Sequence, residues 1–417
     1  MEMLWQLIYL LLLFLSFPYF LCNKILKKKE FPVFLRRLGF NLKKDKKEKK
    51  RIWIHAVSLG EVLLTSPIIS KIKELGKFDV YITTTTQTGY QVATERLSGI
   101  KKIFFSPLDI RFSVKKYLNF ISPDILILVE NEIWPTLILE TRKRNIPILL
   151  INGRMSDRTF KYFNFFKSII KPIVNKIDYF LVQDNETYNK YKILGISEEK
   201  LQISGNLKAD TAFPFFTENE IEILKSQFNL KGKKIFVAGS TSKGEENTIL
   251  EAYLKAKKAN DDLKLILAPR HPNRFEEVER IIKKYKLKMK TRTSFQNKEY
   301  DVLLLNTIGE LCKFYAISNG VFVGGSLVSK GGHNILEPAF YSKPICFGKY
   351  MSNFKNISEI FLKKKASILI KNEKDLVNFI KKIDSEELKS MGIRAYKTYL
   401  SLKGGTEKTI DKILSLI

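Results

Sequence analysis

From residue 51 onward the chain alternates short, unbroken apolar runs with longer stretches whose apolar residues recur every three or four positions. The short runs occupy residues 51–56, 79–84, 102–105, 125–129 and 148–151, and later 234–238, 264–268, 301–305 and 320–323. The longer stretches at 61–75, 89–97, 114–120, 133–144 and 245–258 carry the helical period. Ile125-Leu126-Ile127-Leu128-Val129 has no polar alternation, so it predicts a strand covered on both faces, as parallel sheets require. Strand and helix in turn predict an α/β fold with helices on both sides of each sheet.

The pattern breaks once, around Gly205-Asn206 and Pro214, and then begins again. Two doubly wound domains are therefore expected, at residues 23–208 and 209–395. Residues 396–417 form a C-terminal helix able to pack back on the first domain. Ligands of such sheets bind beyond the carboxyl ends of the strands, and two facing sheets would hold one between them.

Each candidate motif falls at such an end. After the run 320–323 comes Gly324-Gly325-Ser326-Leu327-Val328-Ser329-Lys330-Gly331-Gly332-His333-Asn334-Ile335-Leu336-Glu337-Pro338. Glycines let backbone amides approach an anion, and a helix starting near Asn334 would add its dipole. Gly325, Ser326, Gly332, His333, Asn334 and Glu337 are the candidates here. Ser240 and Thr241 follow the run 234–238 in a smaller loop. Arg270 and His271 follow 264–268, where a guanidinium can grip phosphate by two bonds. Gly309 and Glu310 follow 301–305. In the first half, Glu61 stands past the run containing His55, as a helix N-terminal charge or as a general base. Glu130 and Glu132 flank Asn131 after the most apolar run, where two acids are costly as mere structure.

Composition narrows the partners. There are 72 Lys and Arg against 43 Asp and Glu, a formal charge of +29, which calls for a polyanion or an anionic surface. No aromatic-and-basic repeat or zinc-finger spacing appears, so nucleic acid is not expected. Three cysteines, Cys22, Cys312 and Cys346, lack metal-ligand spacing, and no carboxylate cluster of the Asp-x-Asp kind follows residue 209. No metal or other cofactor is expected. Only three histidines occur, His55, His271 and His333, each in a candidate loop. Residues 4–22 are uncharged and apolar, with lysines and arginines from Lys24 to Arg37 behind them. Residues 1–22 thus predict a membrane anchor with the body on the cytoplasmic side. Pro18 leaves a shallower, monotopic seat open.

Taken together, His55-Ala56-Val57-Ser58-Leu59-Gly60-Glu61, residues 83–89, Glu130 to Pro135, Asn152-Gly153-Arg154-Met155-Ser156, Gly205-Asn206-Leu207-Lys208, Pro269-Arg270-His271-Pro272 and the long glycine loop resemble, in that order, the Kdo transferases. Those membrane enzymes move 3-deoxy-D-manno-octulosonic acid (Kdo) from CMP-Kdo onto a lipid A precursor. The resemblance implies the GT-B arrangement, two facing Rossmann-like domains with the nucleotide in the second. It makes Glu61 the catalytic base. Glu130, Glu132 and Arg154 fall on the acceptor side, and Arg270, Asn334 and Glu337 among the donor contacts. Asn306 stands where the family usually has Asp, and Gly153 where Ala is common. The expected reaction is inverting, metal-independent transfer to the 6'-hydroxyl of a tetraacylated lipid A precursor, in lipopolysaccharide core biosynthesis on the cytoplasmic side of the inner membrane. The competing readings are a GT-B transferase using a UDP-sugar, a nucleotide-sugar epimerase, and a tether for anionic lipid.

Overall fold

The computed structural model describes residues 31–417 apart from 41, 43–45, 98 and 297–298. The proposed anchor, residues 1–22, lies outside the described residues. Among those described, no helix is long and apolar enough to cross a membrane.

Two seven-stranded sheets form, and every strand pairing in them is parallel. The first contains β1 (Lys50–His55), β2 (Phe78–Thr84), β3 (Ile100–Phe105), β4 (Ile125–Val129), β5 (Ile148–Gly153), β6 (Tyr179–Val182) and β7 (Leu201–Ile203), in the order β3-β2-β1-β4-β5-β6-β7. The second contains β8 (Lys234–Thr241), β9 (Leu263–Pro269), β10 (Met289–Thr291), β11 (Val302–Leu304), β12 (Gly320–Val323), β13 (Ile345–Phe347) and β14 (Ile368–Leu369), in the order β10-β11-β9-β8-β12-β13-β14. The α/β expectation of two Rossmann-like sheets holds.

The two orders share one property. In each sheet the first strand is an inner one, and later strands are added on both sides of it. The switch in direction lies between β1 and β4 in the first sheet and between β8 and β12 in the second. At such a switch the connecting loops part and leave a crevice at the carboxyl ends of the strands.

The compact units are the described residues up to Thr211 with Lys403–Ile417, and Ala212–Leu402. The final helix, Gly405–Leu416, is part of the first unit. Asp210 accepts the amides of Gly404 at 2.8 Å and Thr406 at 2.6 Å, and Ile410 and Ile413 enter the core beneath β1, β2, β4 and β5.

Strand β4 shows why the first sheet is stable. Leu126 and Leu128 enter the core on one face, and Ile125, Ile127 and Val129 the core on the other. All five are fully buried. Each such side chain contributes roughly 1.5–3 kcal/mol. The single helix expected over 61–75 is two, Leu59–Leu64 and Ser66–Leu75. Pro67 has no amide to donate and its ring crowds the preceding turn, so the first helix stops and a second begins with the proline in its first turn.

Candidate active site

At the switch of the first sheet, Ser58 caps helix Leu59–Leu64 with its hydroxyl, 3.3 Å from the amide of Glu61. The Glu61 carboxylate turns back over this cap. It accepts the Ser58 hydroxyl at 2.7 Å on one oxygen and the Val57 amide at 2.7 Å on the other. Glu61 is 8% exposed. Burial raises its pKa to about 7, the charges of Glu132 and Glu130 push the same way, and the bonds from Ser58 and Val57 oppose them. A carboxylate poised there can exchange a proton near neutral pH.

Glu130 and Glu132 follow β4, adjacent to β1. Glu130 has φ of 61° and Asn152, near the end of β5, φ of 53°. Left-handed backbone at such residues costs about 1–3 kcal/mol and gathers at functional sites. Asn152 holds the region together, accepting the Leu207 amide at 3.0 Å and reaching Glu130 at 3.5 Å. Its carbonyl accepts from Gln183, which in turn accepts from Asn206. Tyr191 donates to Asn131 at 2.9 Å. Glu132 accepts the Trp134 indole N–H at 2.7 Å, and burial followed by the charge of Glu130 raises its pKa. Burial lowers the pKa of Lys208, Arg154 lowers it further, and Glu130 opposes. Glu61, Glu130, Glu132, Arg154 and Lys208 thus form one electrostatic group.

His55 has a different role. It is fully buried, its Nδ1 lies 2.9 Å from the Thr83 hydroxyl, and its ring meets Trp134 edge-on. Burial, then Arg37, pushes its pKa down to about 3, so it is a neutral wall.

The second unit repeats the arrangement at its own switch. Ser240 and Thr241, expected in a loop, are the last residues of β8: Ser240 has φ of 57° at a bulge, and Thr241 pairs with Pro269 of β9 beyond it. His333 lies among charged neighbours: burial lowers its pKa to about 4, with Arg270 and His271 acting the same way. Asn334 donates to Glu337 at 3.2 Å. Burial raises Glu337, while Asn334 and then Arg270 lower it. Arg270, His271, His333, Asn334 and Glu337 are therefore together, with Arg270 and His271 exposed at the rim. The His333 ring lies over Gly325, where an added Cβ would come within 2.9 Å of it.

Other expected donor contacts are engaged within the protein. The Gly325 and Ser326 amides do not face a ligand. They donate at 2.7 and 2.9 Å to Glu245, which also accepts the Leu327 and Ser242 amides at 2.8 Å each. The Ser326 hydroxyl donates to Val323 and accepts from Gly348. Thr241 donates to Glu246, itself paired with Arg274 at 2.7 Å. Glu310 pairs with Arg292 at 2.9 Å and accepts from Thr307, and Gly309 beside it has φ of 87°. The amide of Gly332 donates to the Gly325 carbonyl, and an added Cβ would strike the Met351 sulfur. The helix past Asn334, Leu336–Phe340, has only five residues, so its dipole is weak and Arg270 is the stronger anion partner.

Sequence reasoning missed Glu245 as an internal anion and Lys208 as a site cation. The doubled acid Glu245-Glu246 before a helix and the lysine after Gly205-Asn206 were the available signals. Among the described residues, no three or more His, Cys, Asp or Glu are grouped to hold a metal ion.

Residues 33–211 match the family described as "3-Deoxy-D-manno-octulosonic-acid transferase (kdotransferase)". A "3-deoxy-D-manno-octulosonic acid transferase" of Haemophilus influenzae is 30% identical over 98% of this chain and 97% of that one. A "Bifunctional glycosyltransferase/methyltransferase" of Fusobacterium nucleatum is 34% identical over 82% of this chain, which spans 54% of that relative's length. Among solved structures, Anabaena Alr3699/HepE in complex with UDP is similar with a TM-score of 0.61 at 14% identity, covering 88% of this chain and 100% of that one. At that identity the likeness is one of fold alone.

Proposed function

The chain belongs to the 3-deoxy-D-manno-octulosonic acid (Kdo) transferase family and is a glycosyltransferase, and from that premise we propose that it transfers Kdo from CMP-Kdo to the 6'-hydroxyl of a tetraacylated lipid A precursor in a single inverting displacement, on the cytoplasmic face of the inner membrane. The observation that carries the reading is Glu61: a carboxylate held by Val57 and Ser58, beside Glu130 and Glu132, with its pKa raised to about 7.

Glu61 takes the proton of the acceptor hydroxyl as the oxygen attacks the anomeric carbon of Kdo, and the bond from that carbon to the CMP phosphate breaks. A base so placed contributes about 10²–10⁴ in rate. Glu130 and Glu132 keep the proton affinity of Glu61 high. Lys208 and Arg154 supply positive charge for the acceptor phosphates. On the donor side, Arg270 receives the charge that builds on the departing phosphate, and Glu337 suits ribose hydroxyls. The net charge of +29 favours an acidic sugar, a phosphorylated lipid and an anionic bilayer alike.

Donor profiling tests this reading. With the tetraacylated acceptor, CMP-Kdo generated in place should give product and UDP-hexoses none. Product from a UDP-hexose with none from CMP-Kdo would replace it with the UDP-sugar reading.

A further inference from the structure

From Arg158 to Lys176 the chain carries five cations, Arg158, Lys161, Lys167, Lys171 and Lys176, and no Asp or Glu. The segment folds as helix Asp157–Phe165 followed at once by helix Lys167–Val174. Its inner side is seated: Ile173 and Val174 belong to the first unit's core, and Phe160, Phe163 and Ile170 pack against it. The outer side has no such cover. Tyr162 is 55% exposed, Phe165 80%, Phe166 47% and Ile169 37%, and helix Asp157–Phe165 has no buried residue. Phe165 and Phe166 meet edge to face at 4.8 Å where the helices join. Lys167 bonds the carbonyl of Ile193, itself 53% exposed, which extends the apolar surface.

Aromatic side chains concentrated on one face are unfavourable in water unless something covers them. The charge pattern decides what does. Protein interfaces are depleted in lysine at their core, whereas basic helices with an aromatic face are suited to the boundary of an anionic bilayer. We propose that this helical hairpin is an interfacial seat, sinking Tyr162, Phe165, Phe166 and Ile169 among the headgroups of an anionic membrane while the five cations meet lipid phosphates. The seat is a different part of the sequence from residues 1–22.

Its position gives it a use. Helix Asp157–Phe165 begins just beyond β5, on the sheet edge that carries Glu130. Lys190 ties its start down, bonding the Met155 carbonyl at 2.9 Å and Asp157 at 2.8 Å, and the next residue, Tyr191, holds Asn131. A bilayer gripped by the hairpin therefore lies at a fixed offset from the acidic site, as a lipid acceptor requires. Only this use rests on the proposed acceptor; the surface stands on its own geometry.

The test uses the full chain with Cys22→Ser and Cys312→Ser, and an environment-sensitive fluorophore on Phe165→Cys. Ser70→Cys, on helix Ser66–Leu75 at the opposite face of the same sheet, is the control. On vesicles of phosphatidylethanolamine and phosphatidylglycerol, the Phe165→Cys label should shift its emission to the blue and be quenched by brominated acyl chains, and the Ser70→Cys label should not change. An unshifted Phe165→Cys label on sedimented vesicles, or no sedimentation with them, would overturn the proposal. So would a blue shift without lipid that grows with protein concentration, which would assign the surface to a second copy. Neither nucleotide nor acceptor is present, so a negative result leaves the transfer reading untouched.

Discussion

Glu245 accepts the amide of Gly325 at 2.7 Å, joining residues that lie 80 positions apart. With the Ser242, Ser326 and Leu327 amides on the same carboxylate, it fastens the loop after β8 to the loop after β12. The glycine loop thus carries its own anion, and its shape is set by bonds within the protein.

Replacing Glu245 by Ala leaves four amides without their acceptor. Each buried orphan costs about 1–3 kcal/mol, so a loss of several kcal/mol is expected. Denaturant unfolding should show it together with weakened CMP binding, and Glu245→Gln should fall between parent and Ala. An Ala variant matching the parent in both would remove Glu245 from the support of the site.

Glu61 makes a prediction about pH. Its pKa rises from 4.5 to about 7 on folding, so the folded state holds the proton more tightly. The stability this confers is full below about 4.5 and is lost as pH rises through about 7, a change on the order of 3 kcal/mol. Glu61→Gln mimics the protonated form and has nothing to ionise. Its melting temperature relative to the parent should climb between pH 5 and pH 8. A difference that stays flat over that range would mean the carboxylate is not perturbed.

In the proposed reaction Arg270 meets the donor phosphate, and its charge also lowers the pKa of His333. Arg270→Ala should weaken CMP binding by about ten- to a hundredfold, as loss of a charged hydrogen bond does. Arg270→Lys should recover only part, because the two-pronged geometry is gone. NMR titration supplies a second reading: the His333 pKa, held near 4, should rise once the guanidinium is removed. No movement would separate the two residues.

Gly324 is small because Ser240 lies against it. A Cβ there would strike the Ser240 carbonyl and come within 2.7 Å of the Thr241 Cα, and backbone has little room to give. Gly324→Ala should lower stability and donor affinity together, whereas Gly232→Ala, with open space around it, should leave affinity unchanged. Normal CMP binding by Gly324→Ala would show that the two loops are not closely packed where the site is formed.

How much of this was legible depended on length and periodicity. Runs such as residues 125–129 and 320–323 are buried on both faces and announced themselves by composition. Strands β6, β7, β10, β13 and β14, of two to four residues, did not: runs so short have no period to detect, and composition alone did not set these apart. Candidate residues could be sought at strand ends because a parallel sheet presents its loops there, and Glu61, Glu130, Arg270 and Glu337 do follow strands. The hydrogen bonds of Gly325 and Ser326 could not, since whether an amide faces a ligand or a carboxylate 80 residues away is a tertiary fact. The exposed aromatics at Phe165 and Phe166 were equally hidden, for an apolar residue in a helix is more often core than surface.

The central claim is that Glu61 is the base for Kdo transfer. Incubating purified parent and Glu61→Gln with CMP-Kdo generated in place and the tetraacylated lipid A precursor, and weighing the lipid by mass spectrometry, tests it most directly. The parent should add the mass of Kdo to the lipid, and Glu61→Gln should add none despite unimpaired CMP binding. Equal product from both proteins would contradict it.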